Sequence, residues 1–233
     1  MRYALMILVL LTTACATREP APRPPVDVTG QEAEFLEFFR KAFFEDGEQD
    51  RGAAVDLQRF EQRAIVAVEP GRAWVKGRLQ SHVDDIAGLL PVDPVVRETT
   101  RGDRIPFIFV TVGPVDEMNK LSARGLGLVD VPCIYVNYVR QRGGDELVRA
   151  RIYLMPGAER YWRDCLPQEL AQALGVNGDG RLGAPSAFGD EPPPGGGYSE
   201  WDRLALWLAY HPRFRPGMDW EEARPIAASI IAP

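Results

Sequence analysis

The sequence predicts an α+β domain with a mixed sheet of about four strands and four or five helices, preceded by an export leader. Three observations carry this expectation. Stretches of helical apolar period are interspersed with short strand-like runs, no internal repeat divides the chain, and 45% of its 233 residues are apolar, enough to bury one sizeable core. The organisation that follows is a leader over 1–14, a lipidated cysteine and proline-rich tether over 15–30, and one folded domain over 31–233.

The leader reads as an export signal. Arg2 supplies a positive charge, Ala4 to Leu11 is unbroken apolar sequence, and Thr12-Thr13-Ala14 brings small residues up to Cys15. The run is about half the roughly 20 residues a membrane-spanning helix needs. It resembles a bacterial lipobox, although Thr12 stands where leucine is usual, so Cys15 is expected to carry diacylglycerol and to hold the protein at a membrane facing the periplasm. Ala16 rather than aspartate after Cys15 resembles the signal for the outer membrane in a Gram-negative source. The following run TREPAPRPPVDVTG has four prolines and no apolar periodicity, which predicts an extended, solvated spacer.

Within the domain, Thr29 or Gly30 opens a helix to Phe44, with Phe35, Leu36, Phe39, Ala42 and Phe43 recurring at helical spacing. Arg63 to Val68 alternates as a strand and ends at the turn Glu69-Pro70-Gly71. Lys76 to Leu90 returns to helical period and stops at Pro91. Ile105–Val112, Cys133–Val139 and Leu147–Met155 read as three more strands. Leu166 to Leu174 is a helix closed by Gly175, a residue suited to a C-terminal cap. After a Gly- and Pro-rich loop, Ser199 caps a helix to about Tyr210, and a short last helix lies between Asp219 and Ile231. Trp201, Trp207, Tyr210 and Phe214 are expected in the core, whereas Tyr161 and Trp162 are candidates to line a cleft.

Composition excludes several functions. The net charge is −6, and the arginines are scattered among acids rather than gathered in a stripe, which argues against a nucleic-acid groove binder. The chain has two histidines, His82 and His211, so a three-histidine zinc site is arithmetically impossible. Once Cys15 is acylated, Cys133 and Cys165 remain in an oxidising compartment, where one disulfide is the expected outcome and two buried thiols the alternative. No G-x-S-x-G surrounds Ser186, and Gly125 and Gly127 lack the third glycine of a dinucleotide fingerprint. His82 and Asp85 read as a solvated surface pair and His211 as a turn cap.

The chemistry concentrates in CLPQELAQALGVNGDG, residues 165–180. Gln168 and Gln172 are four apart, hence on one helical face, with Glu169 adjacent. This run looks like a worn His-Glu-x-x-His motif in which both imidazole positions hold glutamine and the third-ligand position of the metzincins falls on Gly178. An amide oxygen is a weak zinc ligand beside an imidazole nitrogen, so no ordinary zinc site and no cofactor is expected.

From about Arg63 to Ile231, and most specifically through CLPQELAQALGVNGDG, PSAF at Pro185 to Phe188, Asp202 and HPRFRPGM at His211 to Met218, the chain is similar to a bacterial family of exported proteins, domain of unknown function 2927. Asn177 and Asp179 stand where that family carries an Asn-Asp pair, with Gly178 a departure from the pattern. The resemblance implies a zincin-like fold with Leu147–Met155 near the motif helix, and it implies no known reaction. Three readings follow. In the first, Gln168, Glu169, Gln172 and Asp179 are a hydrogen-bonding cluster that binds an envelope protein, a peptide or a glycan. In the second, the domain is a metal-dependent, peptidase-like hydrolase with Glu169 as general base and a cation held by Asp179, Glu191, Asp202 or His211. In the third, the helix is ordinary and function lies elsewhere.

Overall fold

The computed structural model describes residues 21–46, 53–99, 106–113, 132–139, 145–178, 185–189 and 192–232. Helix α1 (Glu32–Phe44) buries Phe35, Phe38, Phe39, Ala42, Phe43 and Phe44. Its phenylalanines meet the C-terminal segment edge-on, with Phe38 and Trp201 centroids 5.5 Å apart and Phe39 and Phe214 6.0 Å apart. A short antiparallel pair, β1 (Glu45–Asp46) and β2 (Ala53–Ala54), follows.

The main sheet contains β3 (Ile65–Val68), β4 (Arg97–Glu98), β5 (Phe107–Val112), β6 (Cys133–Val139) and β7 (Leu147–Leu154), in spatial order β4-β3-β5-β7-β6. The expected mixed character holds, but the parallel pairings dominate. β3 is parallel to β4 and β5, β5 is parallel to β7, and, among the described residues, the edge strand β6 alone runs antiparallel, against β7. The architecture is therefore mixed α/β, with one more strand than the sequence suggested. The missed strand, β4, is two exposed charged residues with no alternation to announce it.

Helix α2 (Ala73–Ile86) begins three residues earlier than its apolar period implied and buries Val75, Leu79, Val83 and Ile86. Helix α3 (Trp162–Ala173) carries the motif and includes Pro167. The sequence placed the start at Leu166, four residues late, and the helix accommodates Pro167 at the loss of one backbone hydrogen bond. Burial of Trp162 and the donation of its indole N–H to the Met155 carbonyl (3.2 Å) hold the extra first turn. Helix α4 (Glu200–Ala209) opens with the capping box that Ser199 promised, its hydroxyl accepting from the Asp202 amide. Helix α5 (Trp220–Ile231) packs on α1. Trp207, Tyr210 and Phe214 are buried as expected, and Trp201 is partly buried against the same core.

One expectation is overturned. The second half of the tether is not a solvated spacer: Pro24, Val26 and Val28 are buried while Arg23, Pro25 and Asp27 face outward. The Trp207 indole donates to the Ala21 carbonyl at 2.8 Å, and the Arg23 guanidinium reaches the carbonyls of Ile230 and Ile231 in the last turn of α5. The physical reason lies in the alternation of Pro24, Val26 and Val28. An extended chain places such residues on one side, and that side finds apolar cover.

Candidate functional site

Helix α3 lies along β6 and β7, so the motif sits beside the antiparallel edge of the sheet. Two links fix it there. Cys133, the first residue of β6, forms a disulfide with Cys165, with Cα atoms 6.1 Å apart. Further along the same strand, the Asn137 amide donates to the Gln172 carbonyl at 2.8 Å. The edge strand is thus tied to the helix on both sides of Gln168. Nothing in the local sequence singled out Asn137, because its role exists only once β6 and α3 are adjacent.

The motif side chains differ in exposure. Gln168 is half-buried, whereas Glu169 is 8% exposed and Gln172 3%. Glu169 is therefore covered rather than displayed on an open cleft wall. The glutamine spacing does place both amides on one face, but the packing against the sheet takes Gln172 inside and leaves Gln168 nearest the surface.

Helix α3 ends as its sequence demands. The Val176 amide donates to the Ala171 carbonyl (3.2 Å) and the Gly175 amide to the Gln172 carbonyl (3.0 Å), the paired bonds of a Schellman cap. Gly175 has φ +104°, and a Cβ there would overlap the Gln58 carbonyl oxygen. The next residues are used structurally. The amides of Asn177 and Gly178 both donate to the Ala42 carbonyl, at 2.8 and 3.0 Å, and the Asn177 side chain donates to the Phe43 carbonyl at 3.2 Å. These satisfy carbonyls at the end of α1 that the helix leaves open. A Cβ at Gly178 would overlap the Lys41 carbonyl oxygen, so the position that would hold a third zinc ligand has no room for any side chain. Asp179 and Glu191 lie outside the described residues.

The remaining candidate cation ligands are occupied otherwise. Asp202 is fully buried and accepts from the Ser186 hydroxyl (2.5 Å), the Ala187 amide (2.9 Å) and the Ser199 amide (2.7 Å). Burial pushes its carboxyl above the ordinary aspartate value, against the lowering effect of these hydrogen bonds. Asp202 therefore staples the 185–189 loop to the start of α4 and offers nothing to an incoming ion. Ser186 is its donor, consistent with no nucleophilic role. Beside it the Tyr198 hydroxyl donates to the Pro167 carbonyl at 2.9 Å, and burial raises that phenol well above its usual value. This bond joins the staple to the back of α3. His211 accepts from the Arg213 amide at 3.2 Å through Nδ1, the turn cap expected of it. His82 is not simply solvated: it packs edge-on to Tyr198, with ring centres 6.3 Å apart, and burial lowers its pKa.

At the N-terminal end of α3, a surface depression of about 480 Å³ is lined by Pro132, Met155, Pro156, Gly157, Ala158, Arg160 and Tyr161. Tyr161 is 46% exposed there, as a cleft-lining role requires, whereas Trp162 turns inward against Trp74. Among the described residues, no helix is long and apolar enough to cross a membrane.

Fold and site together define a mixed α/β domain in which a Gln-Glu-x-x-Gln helix is clamped to an antiparallel sheet edge. A family described as protein of unknown function (DUF2927) matches residues 33–229, and the chain belongs to that family. No curated protein and no solved structure matches it.

Proposed function

We propose that this protein is an exported, lipid-anchored envelope protein whose domain is a zincin-like fold that has lost its zinc ligands and acts by binding. Gln168, Glu169, Gln172 and Asp179 are its binding residues, and a peptide or glycan of the envelope is its ligand. The observation that carries the reading is the packing of the Gln-Glu-x-x-Gln helix on the sheet edge, fixed by Cys133–Cys165 and by Asn137. Helices bearing His-Glu-x-x-His use the same two positions, four residues apart, for zinc and the glutamate between them as base. Here amides replace both imidazoles, and the Lys41 carbonyl fills the space of a third ligand. A neutral amide pair and one carboxylate suit hydrogen bonding to a polar ligand better than holding a cation. Gln168, half-buried, is the most exposed of the described members, whereas Glu169 and Gln172 are buried. The disulfide and the leader support an oxidising, extracytoplasmic compartment.

The test combines two measurements on the oxidised protein. After dialysis against trace zinc, manganese and calcium, elemental analysis is expected to find metal far below one equivalent; near-stoichiometric metal would overturn the reading in favour of a metal-dependent hydrolase. Against panels of envelope peptides and peptidoglycan fragments, Glu169→Gln is expected to weaken binding about tenfold, the loss of one charged hydrogen bond. Equal affinity of variant and native protein would remove Glu169 from the site.

A further inference from the structure

The docked segment over residues 21–28 bears on where the domain sits relative to the membrane. We infer that the face formed by this strap and the last turn of α5 is apposed to the lipid bilayer, so that the domain is held against the membrane in a defined orientation. The inference rests on the reading of Cys15 as the lipidated residue.

The argument is one of length. A free tether over 16–30 would reach about 50 Å when extended, more than the roughly 40 Å diameter expected of a domain near 200 residues. Such a leash would leave the domain free to turn any side to the membrane. Docking removes most of it. Only residues 16–20 separate Cys15 from Ala21, whose carbonyl is held by the Trp207 indole, and that stretch spans no more than about 20 Å. The attachment point therefore stays within half a domain diameter of the bilayer, and the opposite side of the domain cannot reach it.

The strap's own packing makes the docking specific. Val28 is 2% exposed and Val26 9%, and Pro24 is buried beside them. Arg23 crosses to the Ile230 and Ile231 carbonyls, where a cation also complements the negative end of the α5 dipole. The exposed Arg213 side chain bonds Ser229 in the same turn, at 2.7 Å. Two arginines thus stand at the end of α5 beside the strap, a charge suited to the phosphates of a lipid surface.

The experiment uses the full-length lipidated protein in liposomes containing lipids with nitroxide-labelled headgroups. Ala232→Cys, with Cys133 and Cys165 oxidised, provides one reactive thiol for a fluorophore just past the last turn of α5. The native linker is expected to give at least threefold stronger quenching than a version with twenty Gly-Ser residues inserted after Arg18. Val26→Asp combined with Val28→Asp, which frees the strap, is expected to lower quenching to the level of the long linker. Mass analysis of the N-terminal peptide reports lipid at Cys15 independently. Lipid at Cys15 with equal quenching in the native, lengthened and undocked proteins overturns the orientation alone. Absence of lipid at Cys15 overturns the anchoring and the orientation together.

Discussion

A Cβ at position 178 would overlap the Lys41 carbonyl oxygen, so the site lacks a third ligand for a reason deeper than the residue's identity. Placing a histidine there is expected to destabilise the fold: Gly178→Ala should cost about 1–3 kcal/mol, the usual penalty for forcing atoms into a packed contact, and Gly178→His more. Urea denaturation of both variants checks this, and a stable zinc-binding Gly178→His protein would contradict it. Asp202 gives a second prediction. Removing its carboxylate as Asp202→Ala leaves the Ala187 and Ser199 amides unpaired and is expected to cost about 2–4 kcal/mol, the unmet bonding of two buried donors. Asp202→Asn keeps an acceptor for those amides and isolates the ionisation. Because burial raises the folded pKa of Asp202 above its unfolded value, the group's contribution is fullest at acidic pH, below the ordinary aspartate value. It is lost as pH rises through the folded pKa. The stability of the native protein relative to Asp202→Asn should accordingly fall between pH 3.5 and neutrality in parallel denaturation series. A rise over that range would show that the hydrogen bonds, not burial, govern the carboxyl.

Between elements, the disulfide and the strap are the two connections that can be cut separately. The 32-residue separation of Cys133 and Cys165 corresponds to about 3–4 kcal/mol of loop-closure entropy in the unfolded chain. Replacing both cysteines by serine should lower stability by that order and increase amide hydrogen exchange first in β6, which has one strand neighbour and depends on α3 for its outer support. Protection unchanged in β6 would mean that Asn137 and β7 suffice. Cutting the strap is a different operation. A protein begun at Gln31 is expected to be about 1–3 kcal/mol less stable than one begun at Arg18, since burial of Val26 and Val28 is offset in part by the entropy of ordering the strap. Thermal melts of the two lengths measure it. The strap was legible in principle, because Pro24, Val26 and Val28 alternate, but the run was read as a proline-rich spacer with no apolar periodicity, and three alternating residues are too short a pattern to stand out from it. Strand β4 was not legible at all: Arg97 and Glu98 acquire strand geometry only from the edge of β3.

At the scale of the whole molecule, the described acids and arginines are interspersed in ion pairs rather than segregated. Arg40 with Glu37 and Glu45, Arg97 with Asp93, Arg203 with Asp85 and Arg215 with Glu222 all pair locally. Most are exposed and add little stability, but each sets an acid beside an arginine, which breaks up the continuous basic stripe that a phosphate-tracking groove needs. The protein is therefore expected to pass through heparin or immobilised DNA without retention at low salt; elution dependent on salt would reveal a basic surface formed outside the described residues. Tyr161 and the depression beside it lie at the N-terminal end of α3, and the Gln168–Gln172 segment lies toward the C-terminal end.

By itself the sequence determined the core helices, four strands of the sheet, the Ser199 cap and the Gly175 stop, because each is written in local periodicity or in a single residue's conformational demand. It also located the motif helix and the cysteine pair, whose partners follow from their small number. Tertiary structure alone decided what those residues can do. The parallel order of the sheet, the burial of Glu169 and Gln172, the Asn137 clamp and the docking of the strap all depend on contacts between segments far apart in the chain. So does the closure of position 178, where the backbone of α1, more than a hundred residues away in sequence, occupies the space a metal ligand would require.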